Sequence, residues 1–81
     1  MTGGIRIEPY QELANAIVAQ AARDYLFLLR LLKHHPEDSA ALKKALEYES
    51  FFRSDWYGML TDVDPECLME KLKKAVEKSD G

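Results

Sequence analysis

Only one cysteine, Cys67, occurs in the 81 residues. No intrachain disulfide can form, and a lone thiol fits a reducing compartment better than a secreted fold. Cys67 and the two histidines, His34 and His35, fall short of the four Cys or His ligands at short paired spacings that a closed zinc site takes. His34 and His35 are adjacent and point in different directions at a helix end, where histidine is ordinary dipole chemistry. No apolar run approaches the ~20 residues of a membrane span, and MTGGIRIEPY lacks the apolar stretch of a secretory leader. A cytoplasmic protein with no membrane contact is expected. Basic charge is also not concentrated: 11 Lys and Arg stand against 14 Asp and Glu, for a net charge of −3, with the signs interspersed. That argues against nucleic-acid binding, which needs a basic face.

Chemistry-bearing motifs are missing too. Gly3 and Gly4 precede no strand-to-helix turn and Gly58 stands alone, so there is no phosphate-cradling loop. The acid pairs Asp62/Asp64 and Glu47/Glu49 are two apart, a spacing that on a helix turns the carboxylates away from each other. The expectation is a protein that is not an enzyme and needs no cofactor. A single domain of this size buries only ~60–65% of its unfolded surface and is marginally stable without help. With cross-links and metals set aside, self-association is the help left open.

What is present is helical. Residues 1–8 carry two glycines and no period, and read as a flexible arm whose Ile5 and Ile7 could lie against the body. Pro9 suits a helix's first turn, and a single helical domain is expected over 9–78, with a frayed tail at 79–81. The first helix runs from Tyr10 to about His34 on a stripe of Ala14, Ile17/Val18, Ala21, Tyr25, Leu28/Leu29 and Leu32. In YLFLLRLL, however, Phe27 and Leu31 fall off the stripe, one turn apart. They form an apolar flank that a second copy of the chain could cover. Pro36 disfavours helical geometry at His35, and Asp38 can cap a second helix bearing Leu42, Ala45, Tyr48 and Phe52 on one face. A helical hairpin follows. Asp64 caps a last helix with Pro65 and Glu66 in its first turn and Leu68, Leu72, Ala75 and Val76 on its buried face. The fold class is therefore all-α: a small bundle of three to four helices.

Between hairpin and last helix lies ESFFRSDWYGMLTD, with four aromatics in seven residues. Continuing the second helix keeps Phe52, Trp56, Met59/Leu60 and Val63 in phase. Ser54 and Asp55 instead look like a fresh N-terminus, favouring a break there and a short helix from Asp55 to Thr61. Phe52 and Trp56 read as fillers of the core. Phe51 and Tyr57 project about 100° to either side, so at least one should meet solvent or a partner. With Arg53, which can pair with Glu49 one turn earlier, they make a candidate partner-binding edge of the residue types that dominate hot spots. A small nucleotide held between subunits is the alternative ligand, with Arg23, Arg30 and Arg53 as candidate anion contacts.

The segments ELANAIVAQAARDY (12–25) and FFRSDWYGMLTDVDPECLMEKLK (51–73) carry a resemblance to a family of small uncharacterised proteins from prophages and mobile elements of Firmicutes. FFRSDWY is its specific part, and the two segments with the Ala-, Leu- and Lys-rich helix between them span most of the chain beyond the arm. The resemblance implies a setting and assigns no role to any residue. Small acidic helical proteins carried by phages commonly bind and block a host protein, including components of host defence. A host protein is accordingly the expected partner, alongside a second copy of the chain in a homo-oligomer.

Overall fold

The computed structural model describes the backbone of residues 7–78 and the side chains of residues 13–78. Among these residues the chain forms four helices and no strand: α1 (Ile7–His34), α2 (Ser39–Phe52), α3 (Asp55–Leu60) and α4 (Pro65–Lys78). The all-α bundle expected from the periodicity is what the chain adopts. α1 opens at Ile7, so Pro9 stands third in it, still among the amides that have no intrahelical acceptor. Ile5 and the rest of residues 1–6, like 79–81, lie outside the described residues.

Local chemistry sets each boundary. α1 ends one residue before His35, whose amide still reaches the Leu31 carbonyl at 2.8 Å. Pro36 follows, and the residue before a proline avoids helical geometry. Asp38 then caps α2 from extended backbone, its carboxylate accepting from the Ala41 amide at 3.0 Å. α2 and α3 are divided at Ser54, whose extended backbone (φ −83°, ψ 161°) interrupts the helical path. Its hydroxyl serves both sides of the break. Oγ donates to the Phe51 carbonyl at 2.6 Å, which also accepts from the Ser54 amide at 3.1 Å, and accepts from the Tyr57 amide at 3.3 Å, satisfying an orphan amide of α3. Asp64 caps α4 in the same manner, accepting from the Glu66 amide at 3.0 Å ahead of Pro65 in the first turn.

α2 runs antiparallel to α1. Tyr48 Oη donates to Asp24 at 2.9 Å and Tyr25 Oη to Glu49 at 2.6 Å. α4 runs antiparallel to α2, as Arg53 with Glu66 shows, and therefore parallel to α1. Lys33, in the last turn of α1, donates to the carbonyls of Val76 and Glu77 at 3.0 and 3.2 Å. Its ammonium thus sits where two parallel helices bring their negative ends together, which offsets the repulsion of their aligned dipoles.

The core is a line of Ala21, Tyr25 and Leu28 on α1, Ala41, Ala45 and Phe52 on α2, Tyr57 on α3 and Met69 on α4, with Val76 also buried. Three alanines let α1 and α2 approach closely. The volume is filled by aromatic rings packed edge to face: Phe52 lies 5.5 Å from Tyr25 and 5.7 Å from Tyr57, at 75° and 90°. Such pairs add about 0.5–1.5 kcal/mol each beyond area burial.

Helix lengths decide what stays uncovered. At 1.5 Å per residue, α1 is ~42 Å long, whereas α2 and α4, with 14 residues each, cover only ~21 Å. The six-residue α3 is left to cover the first half of α1, which it meets around Ala14.

Candidate interaction surface

The aromatic stretch divides differently from its projection. Phe52 is fully buried, as its place on the stripe implies, but Trp56 is 55% exposed and Tyr57 only 2%. The break at Ser54 is the cause. It resets the phase of α3, so that Tyr57 rather than Trp56 follows Phe52 into the core, and Trp56 and Met59, three residues apart, share the outward face. Trp56 as a core filler and Tyr57 as part of a surface edge are both corrected on that ground. Phe51 is half-buried, edge-on to Tyr57 at 6.0 Å and 5.6 Å from Phe52. Two smaller expectations shift as well. Leu42 and Ala75 are exposed, and Met69 takes the buried place on α4 that the leucine pattern did not single out.

Arg53 is structural in its present bonding. Nε and Nη2 donate to the two carboxylate oxygens of Glu66 at 2.7 and 3.2 Å, and Nη1 reaches Glu49 at 3.5 Å. This fork clamps the end of α2 to the start of α4. Hydrogen bonding from Arg53 lowers the Glu66 carboxyl below its usual range and raises the guanidinium in turn. Glu49, the i−4 partner expected from sequence, is drawn mainly elsewhere: it accepts from Tyr25 at 2.6 Å, with Lys73 at 3.9 Å. Burial first, then the hydrogen bond to Glu49, pushes the Tyr25 phenol well above its ordinary value. For Tyr48 the hydrogen bond to Asp24 leads and burial follows. The Tyr57 hydroxyl is buried without a hydrogen-bond partner, and burial, helped by the charge of Asp64, raises its pKa.

The three arginines proposed as anion contacts do not converge. Arg23 and Arg30 are exposed two turns apart on α1, while Arg53 lines a hollow of about 410 Å³ formed by residues 52–65. That hollow includes neither of the other two. Of the Phe27/Leu31 flank, Phe27 is 64% exposed whereas Leu31 packs against the core. His34, His35 and Cys67 are exposed, and among the described residues no three His, Cys, Asp or Glu side chains could hold a metal ion. No helix among them is long and apolar enough to cross a membrane.

Among the described residues, exposed apolar side chains occur on α3, on the turn after it and on the first half of α1. Met59 is 78% exposed, and Trp56, Val63, Leu13 and Ile17 are all solvent-facing. Met59 and Val63 border a hollow of about 680 Å³ whose opposite wall is Ala14 and Asn15 of α1. The sequence pattern puts Trp56 with the core fillers and Ile17 on the α1 stripe, which hides this surface; Met59 falls in phase with them only if α2 runs on unbroken. The Ser54 cap was the signal that could have found it. Comparison with protein-family models, with curated proteins and with solved structures returned no match.

Proposed function

We propose that the chain is a non-enzymatic binding protein that acts by docking onto a host protein, in the setting of phages and mobile elements implied by its resemblance, with host defence as the class of target. The docking surface is the α3 end of the bundle. One observation carries this reading: Trp56 and Met59 project side by side from a short helix whose other aromatic neighbours are packed inward. Tryptophan is the residue type most enriched where binding energy concentrates. The polar side chains near the earlier candidate edge favour the same choice, since Arg53 is held by Glu66 and Glu49. A photo-crosslinking residue in place of Met59, expressed in a bacterial host, should give one discrete adduct that disappears when Trp56 is also changed to Ala. The same residue in place of Glu47, on α2, should give none. Equal labelling from both positions would refute the assignment.

A homodimer is the second reading, favoured by the exposure of Phe27. Light scattering on the native chain and on Phe27→Glu tests it: a dimer that becomes a folded monomer supports that interface, and a native monomer at high micromolar concentration removes it.

A further inference from the structure

The segment that carries Trp56 and Met59 is acidic in sequence. Residues 54–64 contain Asp55, Asp62 and Asp64 and no Lys, Arg or His. Their charge of −3 equals the net charge of the whole chain, so the other residues balance at 11 acidic against 11 basic. All three aspartates are exposed, and Asp62 borders the hollow between α1 and α3. Across the hollow, residues 13–20 of α1 carry no charge at all. Arg53, which lies just before this segment, is already matched by Glu66 and Glu49.

Two small residues, Gly58 and Ala14, line the hollow. Gly58 lies inside α3, where glycine costs about 0.5–1 kcal/mol relative to alanine, yet a Cβ added there would meet no atom within 4 Å. Nothing within the described chain requires glycine at this position. A bare backbone facing an open hollow that Met59 and Val63 border is suited to the close approach of another main chain.

The geometry points to a cationic amphipathic helix of a partner protein as the occupant: its apolar stripe against Met59, Val63 and Ile17, its backbone close over Gly58, and its Lys or Arg flanks beside Asp55 and Asp62. This rests on the docking surface proposed above and adds the chemistry of what docks there. A second copy of the chain is a poorer match. Twofold pairing would set the acidic rim of one protomer against that of the other, and like charges brought together across an interface are repulsive.

Trp56 is the only tryptophan and stands in the surface, so its emission reports occupancy directly. Three synthetic 18-residue peptides serve as probes for the full-length chain: an amphipathic helix of Leu and Lys, the same helix with Glu for Lys, and a Lys peptide with Ser for Leu. Only the Leu/Lys helix should shift Trp56 emission to the blue and protect it from acrylamide. Loss of two exposed charge contacts at about 0.2–1 kcal/mol each should weaken that binding about fivefold in Asp55→Asn/Asp62→Asn. The charge-matched control Glu37→Gln/Glu47→Gln should leave it unchanged. Gly58→Ala should weaken the peptide while stabilising the free protein, an effect that loss of folding cannot mimic. Three results would overturn the inference: no response to the Leu/Lys helix, an equal response to the Leu/Glu helix, or binding indifferent to Asp55 and Asp62. A free protein that dimerises and loses the dimer on Met59→Ser would overturn it in favour of a second copy. Failure of the peptides together with a discrete crosslink from position 59 would sink this chemistry and leave the docking surface standing.

Discussion

Replacing Ser54 by alanine removes both side-chain hydrogen bonds at the junction of α2 and α3 without filling their place. The Tyr57 amide loses its side-chain acceptor at 3.3 Å, and the Phe51 carbonyl loses a donor at 2.6 Å. Loss of a serine N-cap costs about 1 kcal/mol, within a range of 0.5–2. The second bond adds about 0.5–1 kcal/mol. The sum of about 1.5–2 kcal/mol is a large share of the stability of a domain this small. For a 60–100-residue domain each kcal/mol shifts Tm by about 4–8 °C, so thermal unfolding followed by circular dichroism should show a fall of roughly 6–15 °C. Ser54→Asp restores the cap but not the donor and should recover about half of the loss. Trp56 emission should stay that of an exposed indole in both variants, because Phe52 and Tyr57 keep their edge-to-face contact. A loss below about 0.5 kcal/mol would refute the role given to the hydroxyl. A blue shift of Trp56 would refute more, since it would mean that the continuous helix is within easy reach and that something else sets the phase of α3.

Other substitutions test the remaining parts. Tyr57→Phe removes a buried hydroxyl that has no partner and should be neutral or stabilising by up to about 1 kcal/mol in urea denaturation, whereas a clear loss would show that the hydroxyl is bonded in solution. Phe52→Ala empties the centre of the aromatic cluster and should cost about 3–5 kcal/mol, enough to abolish cooperative unfolding of so small a domain. Glu66 titrates below its ordinary 4.5 in the folded chain because of Arg53; its contribution is complete above that value and is lost as pH falls through the folded pKa. The Tm difference between the native chain and Glu66→Gln should therefore shrink towards zero on acidification. Tyr25 shows the opposite sign: its phenol is raised above 10.0, so its contribution is complete below pH 10 and is lost as pH rises through the folded value. Tyr25→Phe should be less stable at neutral pH and flatter in alkaline titration.

The fold was legible because its signals are local. Pro36 after His35, Asp38 and Asp64 as caps and the apolar stripe of α1 each act within a turn or two, and each gave the right boundary to within a few residues. The break at Ser54 was legible for the same reason. What it does to the residues beyond it was not, because a helical projection carries phase across a break that the backbone does not honour. Trp56 and Tyr57 exchanged places for that reason alone. Arg53 shows a second limit: the i−4 partner Glu49 is visible in sequence, but Glu66, 13 residues on, becomes a partner only through the return of α4. The exposed half of α1 shows a third. Ile17 lies on a well-formed stripe, yet whether a stripe is covered depends on the lengths of the other helices, and those of α2 and α4 fall short.

Trp56 stands outside the core beside the acidic Asp55, and charged quenchers of its fluorescence test both features at once. In the native chain, Trp56 should be quenched by caesium and by iodide to a substantial fraction of the rates seen after unfolding. Caesium should be favoured over iodide relative to a neutral tryptophan analogue, because Asp55 and its neighbours attract the cation and repel the anion, and that preference should fade as salt screens the field. A monomeric chain whose tryptophan is shielded from both ions would return Trp56 to the core, and an exposed tryptophan quenched without preference for the cation would remove the acidic rim.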